Sequence, residues 1–139
     1  MRITLDTNVL ISATFWCGDS NKIMDMVENN EVELILSREI LEEFSEVLDY
    51  KEIQEKIKLK NLEMKRTLGK VISISTIIDP AEKLNLIKED PEDNKILECA
   101  KIGNVDFIVS NDKHLLKIKD FEGIKIVTPK EFISLSTQS

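Results

Sequence analysis

Apolar and polar residues alternate from the start of the chain. In the opening stretch RITLDTNVLIS, Ile3 and Leu5 are interleaved with polar residues, the period-two pattern of a strand over about Arg2–Leu5. Asp6, Thr7 and Asn8 then interrupt the apolar run before Val9, Leu10 and Ile11 resume it. The strand is therefore expected to run into a helix or turn. A helix is predicted near Asn21–Asn29, capped by Asp19 or Ser20, and a second strand over Val32–Leu36. Ser37 caps a helix through about Leu48, with Ile40, Leu41, Phe44, Val47 and Leu48 on one face. One or two helices follow and should end near Gly69, and Val71–Ser75 reads as a short strand.

The second half is punctuated more sharply. In DPEDNKILECAKIG, Asp90 is placed to cap, Pro91 to open and Gly103 to end a helix. VDFIVS is a buried strand, NDKHLLKI begins a short helix and GIKIV is another strand. TPKEFISL opens the last helix, with Thr128 and Glu131 at capping-box spacing around Pro129. Strands alternating with helices predict an α/β fold, a central parallel sheet flanked by helices on both faces. The length of 139 residues suits one domain, and the absence of linkers or repeats extends that domain over 1–139. In such sheets the functional crevice lies at the carboxyl ends of the strands.

That rule selects acids by position. Asp6 follows the first strand, and Asp112 follows FIVS and Asn111. Asp106 begins its strand and belongs at the opposite edge. Helical geometry, at about 100° per residue, selects two more. Glu43 flanks the apolar arc centred near Phe44, whereas Glu39, Glu42 and Glu46 turn further towards solvent. Asp93 precedes Ile96, Leu97 and Ala100 in line with the apolar face of its helix, better than Glu92 or Glu98. An acid in a first helical turn also pairs with the macrodipole and completes a capping box with Asp90, so two accounts of Asp93 stand side by side. Clustered carboxylates repel and are costly to bury ionised, a conflict that a divalent cation removes. Oxygen donors without a His/Cys set suit Mg²⁺ or Mn²⁺ better than Zn²⁺. His114 is expected at the surface or in packing rather than in chemistry.

Charge changes the picture in one place. The net charge is −7, which argues against general attraction to nucleic acid. Residues 51–70, KEIQEKIKLKNLEMKRTLGK, are locally basic and offer Lys56, Lys60, Lys65 and Arg66 as RNA contacts, against the plainer account of a solvated helix face. The two cysteines define no disulfide framework: Cys99 is read as helix packing and Cys17 as a loop residue. No apolar run is long enough to span a membrane, and Asp6 interrupts the first one, so a cytoplasmic location is the default expectation.

These residues carry a resemblance. LDTNVLIS, SREILEEFSEVL, DPEDNKILECA and FIVSNDKHLL resemble, in order, the four acidic motifs of PIN-domain ribonucleases, and GIKIVTPKEF resembles the closing strand and helix. The likeness covers nearly the whole chain and is strongest to small prokaryotic toxin components of toxin–antitoxin systems. It implies a PIN-like fold and metal-dependent hydrolysis of RNA phosphodiester bonds. It further implies that Asp6, Glu43, Asp93 and Asp112 form the metal site, with Asp6 as central ligand. Asn8 and Ser110 match polar positions that orient carboxylates or water, and Thr7 is a further polar candidate. An antitoxin protein and a homodimer are partner expectations resting on the resemblance alone.

Other classes compete. A non-catalytic RNA- or protein-binding regulatory module would keep the fold without the chemistry. A phosphoacceptor receiver domain wants adjacent acids after its first strand and an acceptor Asp after a middle one, where VISIST ends without a carboxylate. A haloacid-dehalogenase-type phosphatase wants an Asp where Asn8 stands.

Overall fold

The structure, a computed structural model, describes residues 1–16, 18–59, 64–79 and 91–137, apart from the side chains of residues 64–65 and 91–93. Strand β1 (Arg2–Leu5) leads into helices α1 (Thr7–Phe15) and α2 (Asp19–Glu28). Strand β2 (Glu33–Ser37) is followed by α3 (Arg38–Leu48), α4 (Lys51–Leu59) and α5 (Met64–Ile74). Then come β3 (Ser75–Ile78), α6 (Pro91–Ile102), β4 (Phe107–Val109) and α7 (Lys113–Ile118). Strands β5 (Asp120–Phe121) and β6 (Ile124–Val127) precede α8 (Pro129–Ser136).

The strands form one six-stranded sheet in the order β3-β2-β1-β4-β6-β5. All neighbours are parallel except β5 with β6. The expected α/β fold with helices on both faces is therefore present. On one face Thr4 of β1 meets Cys99 of α6, Oγ1 to Sγ at 3.5 Å, and the same sulfur donates to the Ile35 carbonyl at 3.7 Å. On the other face Phe107 of β4 packs edge-on against Phe132 of α8, with centroids 5.5 Å apart. Helix α8 in turn touches α2, which packs on α1. Ile3, Leu5, Leu34, Leu36 and Ile108 are fully buried between these layers, as strands covered on both faces require.

Several local expectations shift. The polar interruption after β1 opens α1, whose residues Thr7, Val9, Leu10, Ile11, Ala13 and Phe15 are all buried. A helix covered on so many sides shows no amphipathic stripe, which is why periodicity left it as helix or turn. Helix α2 begins two residues early. Gly18, at φ +129°, is its N-cap, and Asp19 sits in the first turn instead of capping. Gly69 lies inside α5 rather than ending a helix, and residues 71–74 are helical where a strand was expected. Ile72 and Ile74 alternate as in a strand, whereas Val71 and Ile74 are three apart as on a helix face. The helix takes them because Val71 packs inward, and the strand starts only after Ser75 Oγ has bonded back to the Val71 carbonyl at 2.7 Å. Strand β5 was not foreseen. Its turn uses Glu122 at φ +50° and Gly123 at φ +88°, with the Gly123 N–H donating to Asp120 at 2.9 Å. The proposed cap Asp90 lies outside the described residues.

Candidate functional site

The strand order reverses at β1. The chain moves outward from β1 through β2 to β3, then returns to place β4 on the other side of β1. The gap above the carboxyl ends of β1 and β4 is the switch point where parallel sheets place ligands. Asp6 leaves β1 there, and Ser110, Asn111 and Asp112 leave β4 beside it.

Asp6 is the N-cap of α1, and its Oδ1 accepts the Val9 N–H at 2.8 Å. Its Oδ2 accepts a short hydrogen bond from Ser110 Oγ. Ser110 is fully buried, and its Oγ also accepts the Asp112 N–H at 2.9 Å. Asp112 repeats the arrangement as the N-cap of α7, its Oδ1 accepting the N–H groups of His114 at 2.7 Å and Leu115 at 3.3 Å. One serine thus ties two strand-end carboxylates into one unit. Burial pushes the Asp6 carboxyl above its ordinary range. The Ser110 and Val9 hydrogen bonds pull it back, and the neighbouring Asp112 charge pushes it up again.

Glu43 comes from α3, where Ile40, Phe44 and Leu48 form the buried face and Ser37 caps the helix through the Ile40 N–H at 3.2 Å. It is half-buried, whereas Glu42 and Glu46 are exposed and Glu39 is half-buried. Its Oε2 lies 4.0 Å from Nζ of Lys95 on α6. The structure therefore brings together Asp6, Ser110 and Asp112, and places Glu43 against the amino-terminal half of α6. Asp93 belongs to the first turn of α6, but its side chain lies outside the described residues. Among the described residues no group of three or more Asp, Glu, His or Cys side chains is gathered closely enough to hold a metal ion. Thr7 is buried and Asn8 exposed, both in the first turn of α1.

Sequence reasoning missed two polar groups of α6. Asn94 and Glu98, four residues apart, are 6% and 4% exposed. Glu98 was expected to lie less well in line with the apolar face than Asp93. Residues 96–100 are instead buried in succession, so α6 lacks the polar side that such a test needs. Asn94 directly follows Asp93, and that adjacency was the one available signal. His114 is exposed, as expected. Cys99 is buried, and burial pushes its thiol up to about 11. Asp106 lies at the opposite end of the sheet, accepting the Arg2 N–H at 2.8 Å.

Of the basic segment, Lys56 is half-buried with Nζ 5.4 Å above the Trp16 ring, and Arg66 is exposed beside Asp25 and Glu28. Lys60, the side chain of Lys65 and Cys17 lie outside the described residues. No described helix is long and apolar enough to cross a membrane.

Comparison with known proteins adds three findings. No functionally curated protein matches the chain. Among solved structures, it resembles a chain of the VapBC2 complex from Rickettsia felis bound to a DNA fragment from their promoter. The TM-score is 0.60 at 19% identity, over 91% of this chain and 97% of that one. At that identity the likeness speaks for the fold. Finally, the model of a PIN-domain family matches residues 2–114, a span running from β1 past the Asp6–Ser110–Asp112 unit. PIN domains are generally nucleases, and by this match the chain belongs to the PIN-domain family.

Proposed function

We propose that the protein is a divalent-metal-dependent ribonuclease using Asp6, Glu43, Asp93 and Asp112, and the toxin of a toxin–antitoxin pair. The observation that carries the reading is the half-buried Asp6 carboxylate, joined through Ser110 to Asp112 at the switch point of a PIN-family sheet. Two neighbouring carboxylates, one of them partly desolvated, are unfavourable as free anions. Their all-oxygen donor set fits Mg²⁺ or Mn²⁺. Asp6 and Asp112 would hold the ion, with Asp93 and Glu43 completing the site directly or through water. Such an ion supplies charge neutralisation at the scissile phosphate and a water of lowered pKa. The chain's own part is positioning. Ser110 holds the Asp6 carboxylate and the Asp112 backbone together, and the α1 and α7 amino termini hold their capping acids.

Asp6→Asn tests the mechanism. The variant should fold yet lose metal-dependent cleavage by about 10³-fold, the scale of removing a transition-state charge contact. Purified protein is incubated with diverse RNAs, with and without Mn²⁺, contaminating nuclease being excluded by the variant itself. Unchanged cleavage in Asp6→Asn overturns the assignment. The 4.0 Å contact of Lys95 with Glu43 favours the competing reading, a non-catalytic RNA- or protein-binding module, because it gives that carboxylate a cation of its own. RNA binding without cleavage under any metal would decide for that module. The partner reading rests on the resemblance to the two-component VapBC2 structure. It predicts that a small neighbouring gene product copurifies with this chain. A cytoplasmic location and a homodimer complete the proposal, the latter checked by solution mass.

A further inference from the structure

A second cleft opens beside the acidic unit. It measures about 420 Å³ and is lined by Ser12 and Trp16 of the α1 end, Asp19, Asn111 after β4, and Thr128 and Lys130 at the start of α8. Asn111 stands between Ser110 and Asp112 in the chain, so one wall of the cleft belongs to the same post-strand segment as Asp112. Along α1, Asn8 and Ser12 share one helix face at four-residue spacing, and Trp16 follows the helix as its C-cap in an extended conformation. That face leads from the first turn beside Asp6 to the cleft wall. Trp16, the only tryptophan in the chain, is 38% exposed there. Its ring is steadied by the buried Phe15, edge-on at 6.2 Å, and lies under Lys56 Nζ. Lys130 is exposed on the opposite wall, while the nearby Asp19 carboxylate is 3.8 Å from Lys22.

We propose that this cleft is a subsite for an unpaired nucleotide of an RNA strand, with Trp16 as the surface on which a base stacks and Lys130 as a phosphate contact. The proposal rests on the ribonuclease reading and adds to it the side chains that would hold one unpaired nucleotide. A base must be free of a duplex to stack on an aromatic side chain, because an A-form helix keeps its base faces internal. A chain of net charge −7 offers phosphate no general attraction, so the cations flanking the cleft matter more. Lys56 sits over Trp16 and links the locally basic residues 51–70 to the same wall. The cleft therefore combines an aromatic side chain, the Lys130 cation and polar groups, and its Asn111 wall runs on in the chain to Asp112.

The test reads binding apart from cleavage. A single-stranded oligoribonucleotide of about eight nucleotides is titrated into the protein in chelator, and Trp16 emission is followed. Saturable quenching is expected, and a duplex of the same sequence should bind far more weakly. By anisotropy of a labelled strand, Trp16→Ala should raise Kd about tenfold and Trp16→Phe far less. Lys130→Ala should lower the slope of log K against log salt by about one. Both side chains are exposed, so these variants should fold, which circular dichroism verifies. Binding that leaves Trp16 emission and both variants unaffected overturns the subsite, as does equal binding of duplex or no binding at all. Metal-dependent cleavage with unchanged KM in Trp16→Ala also overturns the subsite while the ribonuclease reading stands. Quenching and variant effects without cleavage under any metal leave an RNA-binding cleft and overturn the ribonuclease reading.

Discussion

Asp6 caps α1 and at the same time sits half-buried beside Asp112, two duties that pull its charge in opposite directions. Its folded pKa is raised, so the sign of the pH dependence is set. Near pH 3 both folded and unfolded chains hold the proton. As pH passes the ordinary value of 3.8, the unfolded chain ionises first and the fold loses stability until the raised folded value is passed. Asparagine caps a helix as well as aspartate does and carries no charge. In chelator, Asp6→Asn should therefore melt at a higher temperature than the wild type at pH 7, with the difference shrinking towards pH 3. Melts across that range measure it, and a less stable Asp6→Asn at neutral pH would refute the burial argument. Cys99 offers a second readout. Its thiol stays protonated to about 11, so it should resist alkylation at pH 8 in a Cys17→Ser background until denaturant is added. Rapid labelling of the native protein would contradict the packing seen here.

At the scale of elements, the close seat of α6 on the sheet turns on Gly103. A Cβ at that position would meet Ile35 Cγ2 at 2.7 Å and the Cys99 carbonyl oxygen at 2.8 Å. Neither is the free end of a flexible chain. Gly103→Ala should accordingly cost about 2 kcal/mol of stability, measured by denaturant unfolding. Gly69, with nothing near its would-be Cβ, is the matched control. Alanine there should be neutral or stabilising by up to about 1 kcal/mol, since Gly69 lies within α5. Helix α3 depends on Ser37 for its start, and through that cap Glu43 keeps its register against α6.

For the whole molecule, the reversal of strand order at β1 creates the candidate site, because it brings residues 104 positions apart into hydrogen-bond contact. A cation held there binds only the folded chain, so it must stabilise the fold. Mn²⁺ at about a hundred times its Kd should add about 2.7 kcal/mol to the wild type. It should add much less to Asp6→Asn. Thermal shifts with and without chelator check this without any RNA. An equal shift in both proteins would place the ion elsewhere.

The amino-acid order by itself determined the strand–helix alternation, the caps at Ser37 and Thr128, and the post-strand positions of Asp6 and Asp112. These follow from local periodicity and local hydrogen bonds, which a chain carries wherever it folds. It also carried the resemblance that the family match bears out. Tertiary structure decided what locality cannot. Helix α1 is buried on too many sides to show a stripe, and Val71–Ile74 joined a helix because a neighbouring layer covers Val71. Glu98 became buried because α6 is enclosed nearly all round. Ser110 became the link between two carboxylates only when β4 paired with β1. Likewise, Trp16 became a cleft wall only when α8 and the end of β4 arrived opposite it. In each case the deciding contact joins residues distant in the chain, and side-chain period along one segment holds no information about which partner will cover it.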